Sequence, residues 1–192
     1  MLPQELENCK LYGIEKDKIS GRIAQQLYQK STIAVQGYEK VDLPDSFFDV
    51  SIGNVPFGEY KLMDKRYDKY KFFIHDFFFA KTLDKVRPGG IIAFITSKGT
   101  MDKKNSSVRR YIAQRADLLG AIRLPNNTFI KNAGTKVTAD IIFLQKRENM
   151  TDIMPDWINL DTDKNGIVMN KYFVDNPNMI LRQNRNGQND VW

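Results

Sequence analysis

The sequence predicts an α/β domain built on a largely parallel sheet with helices on both of its faces. Short β-rich runs alternate with helical stretches as far as Lys146, which is the order that a parallel sheet with crossover helices requires. Residues 90–96 (GIIAFIT) form one continuous apolar run, as in strands that are covered on both faces. Of the 192 residues 42% are apolar, so the chain can bury one core and a small appendage.

Six strands are predicted, and the third is expected to be buried. That strand (FDVSI) ends where Gly53 and Pro56 forbid its continuation. We place the strands at residues 10–15, 32–35, 48–52, 90–96, 118–124 and 139–145.

Three helices are predicted between these strands. Asp17 can cap the first, in which Ile19, Ile23 and Leu27 share one face. The second helix is predicted at residues 72–86 and ends at the RPGG of residues 87–90. The third is a basic helix that is capped by Ser106 or Ser107 and runs to Ala116.

Composition excludes several classes of protein. One cysteine, Cys9, allows neither an internal disulfide nor a multi-cysteine zinc site, and we predict no metal site. The apolar runs are too short to span a bilayer, and Glu5 and Glu7 interrupt the place where a secretory signal would be apolar. We therefore expect a cytoplasmic protein without a membrane partner. The sole histidine, His75, lies in an aromatic helical run, and we interpret it as a partly buried helix residue rather than a catalytic one.

Three polar residues follow the first three predicted strands: Glu15, Asp42 and Asn54. In an open parallel sheet, ligands bind beyond the carboxyl ends of the strands. Each residue alone is typical of a turn or a helix cap. The three together predict a ligand site at one edge of the sheet.

The sequence Asn54-Val55-Pro56-Phe57 is the sharpest local signal. An amide side chain and a nearby backbone carbonyl offer two acceptors, which suit an amino group with two N–H bonds. Phe57 offers a flat face on which a base can stack. The alternative interpretation is a simple strand-to-loop turn punctuated by Gly53, Pro56 and Gly58.

The motif and its surroundings resemble a known family. "FDVSIGNVPFG" and "VRPGGIIAFITSKGTM", with a helix between them, are similar to the core of adenine-N6 DNA methyltransferases of the Asn-Pro-Pro-Phe type. "LLGAIRLPNNTF" and "AGTKVTADIIFLQK" resemble the modification subunits of type I restriction systems. With "YFVDNPNMIL", the likeness is greatest to the methylase segments of methylase–helicase fusion proteins from mobile elements and phages.

The resemblance implies a Rossmann-like fold that uses S-adenosyl-L-methionine as its cofactor. Glu15 would bind the cofactor's ribose hydroxyls, and Asp42, or its alternative Asp45, the amino group of the cofactor's adenine. By the same resemblance, Asn54 and the carbonyl of Val55 or Pro56 would hold the N6 amine of a flipped target adenine, and Phe57 would stack on it.

Two features depart from the family pattern. Val55 replaces a proline, but it keeps a backbone carbonyl and an extended preference before Pro56. The family's glycine-rich cofactor loop has no counterpart upstream of Lys10, so we expect an N-terminally truncated domain that lacks its first central strand. We predict a methyltransferase domain over residues 1–149 and a partly irregular C-terminal extension over residues 150–192, with an Asn-, Gln- and Arg-rich tail that is poorly ordered.

Basic residues near the predicted site are candidate DNA contacts. The net charge of +6 permits nucleic-acid binding without requiring it, and a solvated helix face explains part of it equally well. The expected partners are double-stranded DNA and the other domains, or a specificity or helicase module, of a larger protein. The candidate contacts are Lys61, Lys65, Arg66, Lys69, Lys103, Lys104 and Arg109.

Two other functions remain open. The missing glycine loop also fits a module that binds nucleic acid or assembles with other proteins without catalysis. Related motifs also serve methyltransferases that act on RNA or on a protein glutamine.

Overall fold

Strands and helices alternate along the chain in the computed structural model, which describes residues 8–130, 134 and 136–181. The chain divides into two compact units, with the boundary between Leu43 and Pro44. The division predicted at residue 149 stays a prediction. No helix among the described residues has the length and apolar character that crossing a membrane requires.

The first unit contains two strands and one long helix. Strand β1 (Tyr12–Glu15) pairs in parallel with β2 (Thr32–Val35), and helix α1 (Lys18–Leu27) connects them. Asp17 caps α1 as predicted, because its side chain accepts a hydrogen bond from the Ser20 backbone N–H at 2.8 Å.

Helix α1 packs closely on β2 through a glycine rather than through its large apolar side chains. Gly21 is buried, and a Cβ at this position would lie 2.7 Å from Cγ1 of Val35. Ile19, Ile23 and Leu27 are 72%, 54% and 70% exposed. The shared apolar face of α1 is thus an exposed face.

The second unit is built on a four-stranded sheet of order β3-β4-β6-β5. Its strands are β3 (Phe48–Asn54), β4 (Val86–Ser97), β5 (Ala116–Arg123) and β6 (Ala139–Lys146). β3 and β4 are parallel, whereas β6 is antiparallel to both β4 and β5. The predicted, largely parallel direction holds for β3, β4 and β5, and β6 is the antiparallel exception, which returns beside β5 without a crossover helix.

Strand β3 is more exposed than predicted. Val50 is 52% and Ile52 is 75% exposed. Within the described part of the chain β3 is the terminal strand of its sheet, with β4 as its sole neighbour. A terminal strand shares fewer side-chain contacts than a central one, so an apolar run alone did not ensure burial.

Helix α2 (Ile74–Lys85) packs against β4 and is largely buried. Phe79 is fully buried, and its ring meets that of Phe94 edge to face with the centroids 5.2 Å apart. The helix ends at Lys85 and β4 begins at the next residue, so residues 87–90 belong to the strand instead of ending the helix.

Two further helices follow β4: the short α3 (Gly99–Asp102) and α4 (Ser107–Arg115). α4 is the predicted basic helix. Its side-chain cap comes from Asn105, whose Oδ1 accepts a hydrogen bond from the Ser107 backbone N–H at 2.8 Å, while the side chain of Ser106 makes no capping bond.

The C-terminal segment is folded over residues 156–181. Strands β7 (Leu160–Thr162) and β8 (Val168–Asn170) form an antiparallel pair, and helix α5 (Lys171–Asp175) follows directly. Phe173 of α5 is fully buried. The tail that we predicted to be poorly ordered follows Val174, and its first part is folded, since Pro177–Met179 form a turn of 3₁₀ helix. Residues 182–192 lie outside the described residues.

A substitution at Gly90 tests how closely the backbones of β3 and β4 approach each other where their pairing begins. A Cβ there would lie 2.8 Å from the Asp49 carbonyl oxygen and 2.9 Å from that of Arg87. Because backbone atoms cannot yield as a flexible side chain does, we expect Gly90→Ala to lower the free energy of unfolding by about 1–3 kcal/mol in urea titrations. In the control Gly120→Ala, the added Cβ would meet only the Tyr172 hydroxyl, at 3.5 Å, and an equal loss in both variants would contradict this packing.

Candidate active site

The motif segment (Asn54–Phe57) leaves the sheet at the carboxyl end of β3. Asn54 is the last residue of β3 and lies opposite Ile95 of β4. The Val55 backbone N–H donates to the Ile95 carbonyl at 2.9 Å, and the Val55 side chain is only 2% exposed. Asn54 itself is exposed, and its amide has no hydrogen-bond partner within the described part of the chain. The anchored valine thus leaves a free amide side chain at the edge of the sheet.

A cavity of about 500 Å³ lies beside this segment. Its walls come from four places: the residues after Asn54, the start of α2, the end of β4 with α3, and strand β8. The lining residues are Phe57, Gly58, Glu59, Phe73, His75, Ser97, Lys98, Gly99, Asp102, Lys103 and Val168. The cavity combines the aromatic rings of Phe57 and Phe73 with several polar and charged side chains, a combination that can bind a small planar molecule.

An arginine ties the sheet to the α3 wall of the cavity. Arg123 at the end of β5 donates from Nε to Asp140 at 2.8 Å and forms an ion pair with Asp102 at 2.9 Å. Its guanidinium lies 4.2 Å from the centroid of the Phe173 ring in α5. Because removing one member would leave a buried charge unpaired, this network holds α3 and α5 against the sheet.

Asn170 fixes strand β8 beside the cavity. Its backbone N–H donates to Asp102 at 3.0 Å, and its side-chain amide donates to the carbonyls of Met101 and Trp157 at 3.0 and 2.7 Å. Asn170 is fully buried. Val168, which lines the cavity, therefore lies two residues from an anchor whose partners Met101 and Asp102 are more than 60 residues away in sequence.

Three charged or titratable side chains meet at the inner wall of the cavity, and we call them the His75 cluster: His75, Asp76 and Lys103. His75 and Asp76 are 5% and 2% exposed. The Lys103 ammonium lies 2.8 Å from Asp76 Oδ2 and 3.4 Å from His75 Nε2. Burial lowers the pKa of His75 and outweighs the raising effect of Asp76, while Lys103 lowers the pKa further. His75 is therefore neutral at pH 7.

Comparison with known proteins decides the family. The sequence matches the N-6 DNA methylase family over residues 5–184, which is most of the chain. The chain belongs to this family. The resemblance inferred from the motifs is thereby confirmed.

A curated relative of this methylase-family chain is the Defense against restriction protein B of Escherichia phage P1. The two are 33% identical over 138 residues, which is 69% of this chain and 6% of the relative. The chain thus spans a small part of that protein's length.

Two solved structures share the fold. One is a protein from Listeria monocytogenes assigned as a class I S-adenosylmethionine-dependent methyltransferase, with a TM-score of 0.60 at 21% identity, covering 76% of this chain and 46% of that one. The other, from Vibrio vulnificus YJ016, is assigned as a modification subunit of a type I restriction enzyme. Its TM-score is 0.59 at 15% identity, and the match covers 93% of this chain and 46% of that one. The predicted methyltransferase fold is confirmed.

The two predicted cofactor residues lie in the first unit. Glu15 ends β1, is half-buried, and accepts the Asp17 backbone N–H at 2.7 Å on one carboxylate oxygen. Asp42 is exposed and has no hydrogen-bond or ion-pair partner within the described part of the chain. The alternative, Asp45, forms ion pairs with Lys85 and Arg66, each at 2.7 Å, and these hold its pKa below the ordinary value. The Asp45 carboxylate is thus occupied by two ion pairs, whereas no such contact occupies Asp42 among the described residues.

The predicted DNA contacts divide into two groups. Arg109 needs a correction: it is 1% exposed, and its guanidinium donates to the carbonyls of Ile158 and Lys103, so it cannot reach a phosphate. Arg66 bridges Asp45 and Asp84, and Lys103 belongs to the His75 cluster. Four predicted contacts are exposed lysines: Lys61, Lys65, Lys69 and Lys104.

Sequence reasoning missed the His75 cluster and Val168. His75 was assigned to the helix correctly, but its place on the cavity wall was not foreseen. The available signal was the adjacent His-Asp pair before the aromatic run of α2, because a charged side chain that is buried with such a run needs a polar partner. Val168 carried no signal, since an exposed valine in a short apolar run has no local distinction.

Val55→Pro tests why this chain departs from the family motif. Proline has no N–H, so it cannot make the 2.9 Å bond to the Ile95 carbonyl. We expect Val55→Pro to lower the free energy of unfolding by about 1–3 kcal/mol, as for a buried group left without its partner. Val55→Ala keeps the N–H, so it measures how much of the lost free energy of unfolding comes from the packing of the Val55 side chain. A Val55→Pro variant as stable as the native chain would show that this bond contributes nothing.

Proposed function

We propose that the chain carries the target-base site of an adenine-N6 DNA methyltransferase. Asn54 and the carbonyl of Val55 or Pro56 hold the N6 amine, and Phe57 stacks on the base. The observation that supports this proposal most is the Asn54 amide at the carboxyl end of β3. It is exposed and has no hydrogen-bond partner among the described residues, and it lies three residues before Phe57, which lines the cavity. A cavity of about 500 Å³ is large enough for a single base.

The chemistry needs positioning more than a strong base. The lone pair of an exocyclic adenine amine is delocalised into the ring, which makes the nitrogen a poor nucleophile. Two acceptors that bind its two N–H bonds draw the nitrogen towards a tetrahedral geometry and aim its lone pair. The side-chain oxygen of Asn54 and one backbone carbonyl are acceptors of this kind. Burial lowers the pKa of His75 and makes its imidazole a weak base, which agrees with a site that does not depend on a strong base.

S-adenosyl-L-methionine is the cofactor that this proposal requires. When bound, it supplies a methyl group activated by a neighbouring sulfonium. Glu15 would hold the ribose, since one of its oxygens is engaged by the Asp17 N–H and the other can accept from hydroxyl groups. Asp42 would hold the amino group of the cofactor's adenine, because its exposed carboxylate fits a donor whereas Asp45 is engaged by two cations.

Double-stranded DNA is the proposed substrate. A target base must leave the duplex to enter a cavity of this size. The exposed Lys61, Lys65, Lys69 and Lys104 would contact phosphates, which position the duplex without reading its sequence. Because the chain aligns with 6% of the phage relative, we propose that other domains, or a specificity or helicase module, supply sequence recognition.

Asn54 variants test the proposal in a tritiated methyl-transfer assay on duplex DNA. The assay should use both this chain and the longest natural polypeptide that contains it. We expect Asn54→Ala to lower the rate about 100-fold or more, as when one transition-state contact is removed. Asn54→Asp keeps an acceptor and should retain more activity. Asn149→Ala, an exposed asparagine far along the chain, is the matched control.

Undiminished transfer by Asn54→Ala would contradict the assigned role. Transfer to RNA or to a glutamine peptide, but not to DNA, would support one of those substrates instead. Calorimetry with S-adenosyl-L-methionine separates the enzyme from a module that only binds nucleic acid, because the enzyme must bind the cofactor and the module need not.

A further inference from the structure

Strand β8 supplies the one aliphatic side chain that lines the cavity among the described residues. That side chain is Val168, whereas every other lining residue lies between Phe57 and Lys103 in the sequence and is aromatic, polar, charged or glycine. Val168 is 61% exposed, although the next two residues of the strand, Met169 and Asn170, are 7% and 0% exposed. An exposed aliphatic side chain at a cavity wall leaves apolar surface that a bound molecule can cover.

The alternation of side chains along β8 directs Val168 towards the cavity. Side chains two residues apart on a strand point to the same side of it. Asn170 lies two residues after Val168, and its side-chain amide donates to the carbonyl of Met101 in α3 at 3.0 Å. The α3 segment forms a wall of the cavity through Gly99 and Asp102. Val168 therefore lies on the α3 side of the strand, which is the side of the cavity.

Backbone contacts fix this strand, so Val168 is held at the cavity wall before a ligand binds. The Asn170 backbone N–H donates to Asp102 at 3.0 Å, and the Lys171 backbone N–H donates to the Asn159 carbonyl at 3.0 Å. The whole of β8 is also paired with β7. A side chain on a strand that is already fixed loses little conformational freedom when a ligand binds, and this favours binding.

A flipped purine has two flat faces, and the proposed function assigns a contact to one of them. By that proposal Phe57 stacks on this face, and enzymes that flip a base hold it between aromatic or apolar side chains. The other apolar side chains of the cavity wall are Phe73 and Val168. The Lys103 ammonium lies 5.1 Å from the centroid of the Phe73 ring, so a cation of the His75 cluster already faces this ring. Val168 is the better placed of the two, because it is exposed and lies on the α3 side of its strand.

We propose that Val168 covers the face of the target purine that Phe57 leaves open, so that the base lies in a slot between β8 and the motif segment. The identity of the occupant as a purine rests on the proposed function. The two methyl groups of Val168 offer apolar area to the flat face of the base, and they add affinity. Selection by the exocyclic amine is left to the Asn54 amide. The segment after residue 149 then completes the base site, instead of being an extension beside it.

Nuclear magnetic resonance of the chain with ¹³C-labelled valine and isoleucine methyl groups tests this inference, with adenosine as the probe. Adenosine carries the base without requiring a recognition sequence or the opening of a duplex. We expect nuclear Overhauser contacts between the aromatic protons of the bound base and the methyl groups of Val168. The backbone amide of Phe57 should shift at the same adenosine concentrations. The methyl groups of Ile167 should show neither contact nor shift, because the alternation directs this preceding side chain to the opposite side.

Paired alanine variants give a quantitative result in the same titration. Val168→Ala removes two methyl groups from the contact and should weaken adenosine binding about 10-fold. Val168→Ile keeps the branched side chain and should bind adenosine as the native chain does. Ile167→Ala makes a comparable change at an adjacent residue that is 55% exposed, and it should leave the dissociation constant unchanged. Because both native side chains are exposed, neither alanine variant should alter the midpoint of thermal unfolding, which separates binding from stability.

Adenosine that shifts the amide of Phe57 without contacting Val168 would overturn the inference and leave the proposed function standing. Equal weakening by the two alanine variants would also overturn it, as would adenosine that binds nowhere on the chain or only near the proposed cofactor residues Glu15 and Asp42. The methyl-transfer assay tests the proposed function independently, because its readout is the dependence of the rate on Asn54. The slot and the methyl transfer can therefore fail separately.

Discussion

The parallel pairing of β3 and β4 is the constraint on which the proposed site depends. Parallel strands end at the same edge of a sheet, so this pairing brings the segment after Asn54 beside the segment after Ser97. The bond from the Val55 N–H to the Ile95 carbonyl extends the pairing one residue past the end of β3. It also explains how valine serves here in place of a proline. The motif leaves the sheet from a fixed point, with its amide free.

Long-range polar contacts complete the cavity that this pairing begins. Arg123 links β5 to Asp102 of α3, and Asp102 in turn accepts from Asn170 of β8. On the opposite wall, Lys103 reaches Asp76 at the start of α2. Buried ionic contacts of this kind add little net stability, but they penalise every arrangement in which a partner is missing. They are therefore suited to holding separate elements in one geometry around a ligand site.

Local sequence could predict the elements and the motif but not the contacts between distant segments. The end of β3 before Pro56 and the start of α1 after Asp17 follow from these two residues, whose conformational preferences act within a few residues. Gly53, which we expected to end β3, lies within the strand. The direction of β6 and the exposure of β3 depend on which strands become neighbours, and no local pattern encodes that. Arg109 shows the same limit. It reads as part of a basic surface helix, yet it is buried because the distant Ile158 carbonyl binds its guanidinium.

The most direct measurement is the identity of the methylated base in cells. The longest natural polypeptide containing this chain should be expressed in bacteria that lack adenine methylation, and their DNA should be hydrolysed and analysed by mass spectrometry. We predict N6-methyladenine with the native sequence and its absence when Asn54 is replaced by alanine. N6-methyladenine at equal levels in both, or methylation confined to cytosine, would contradict an adenine site built on Asn54.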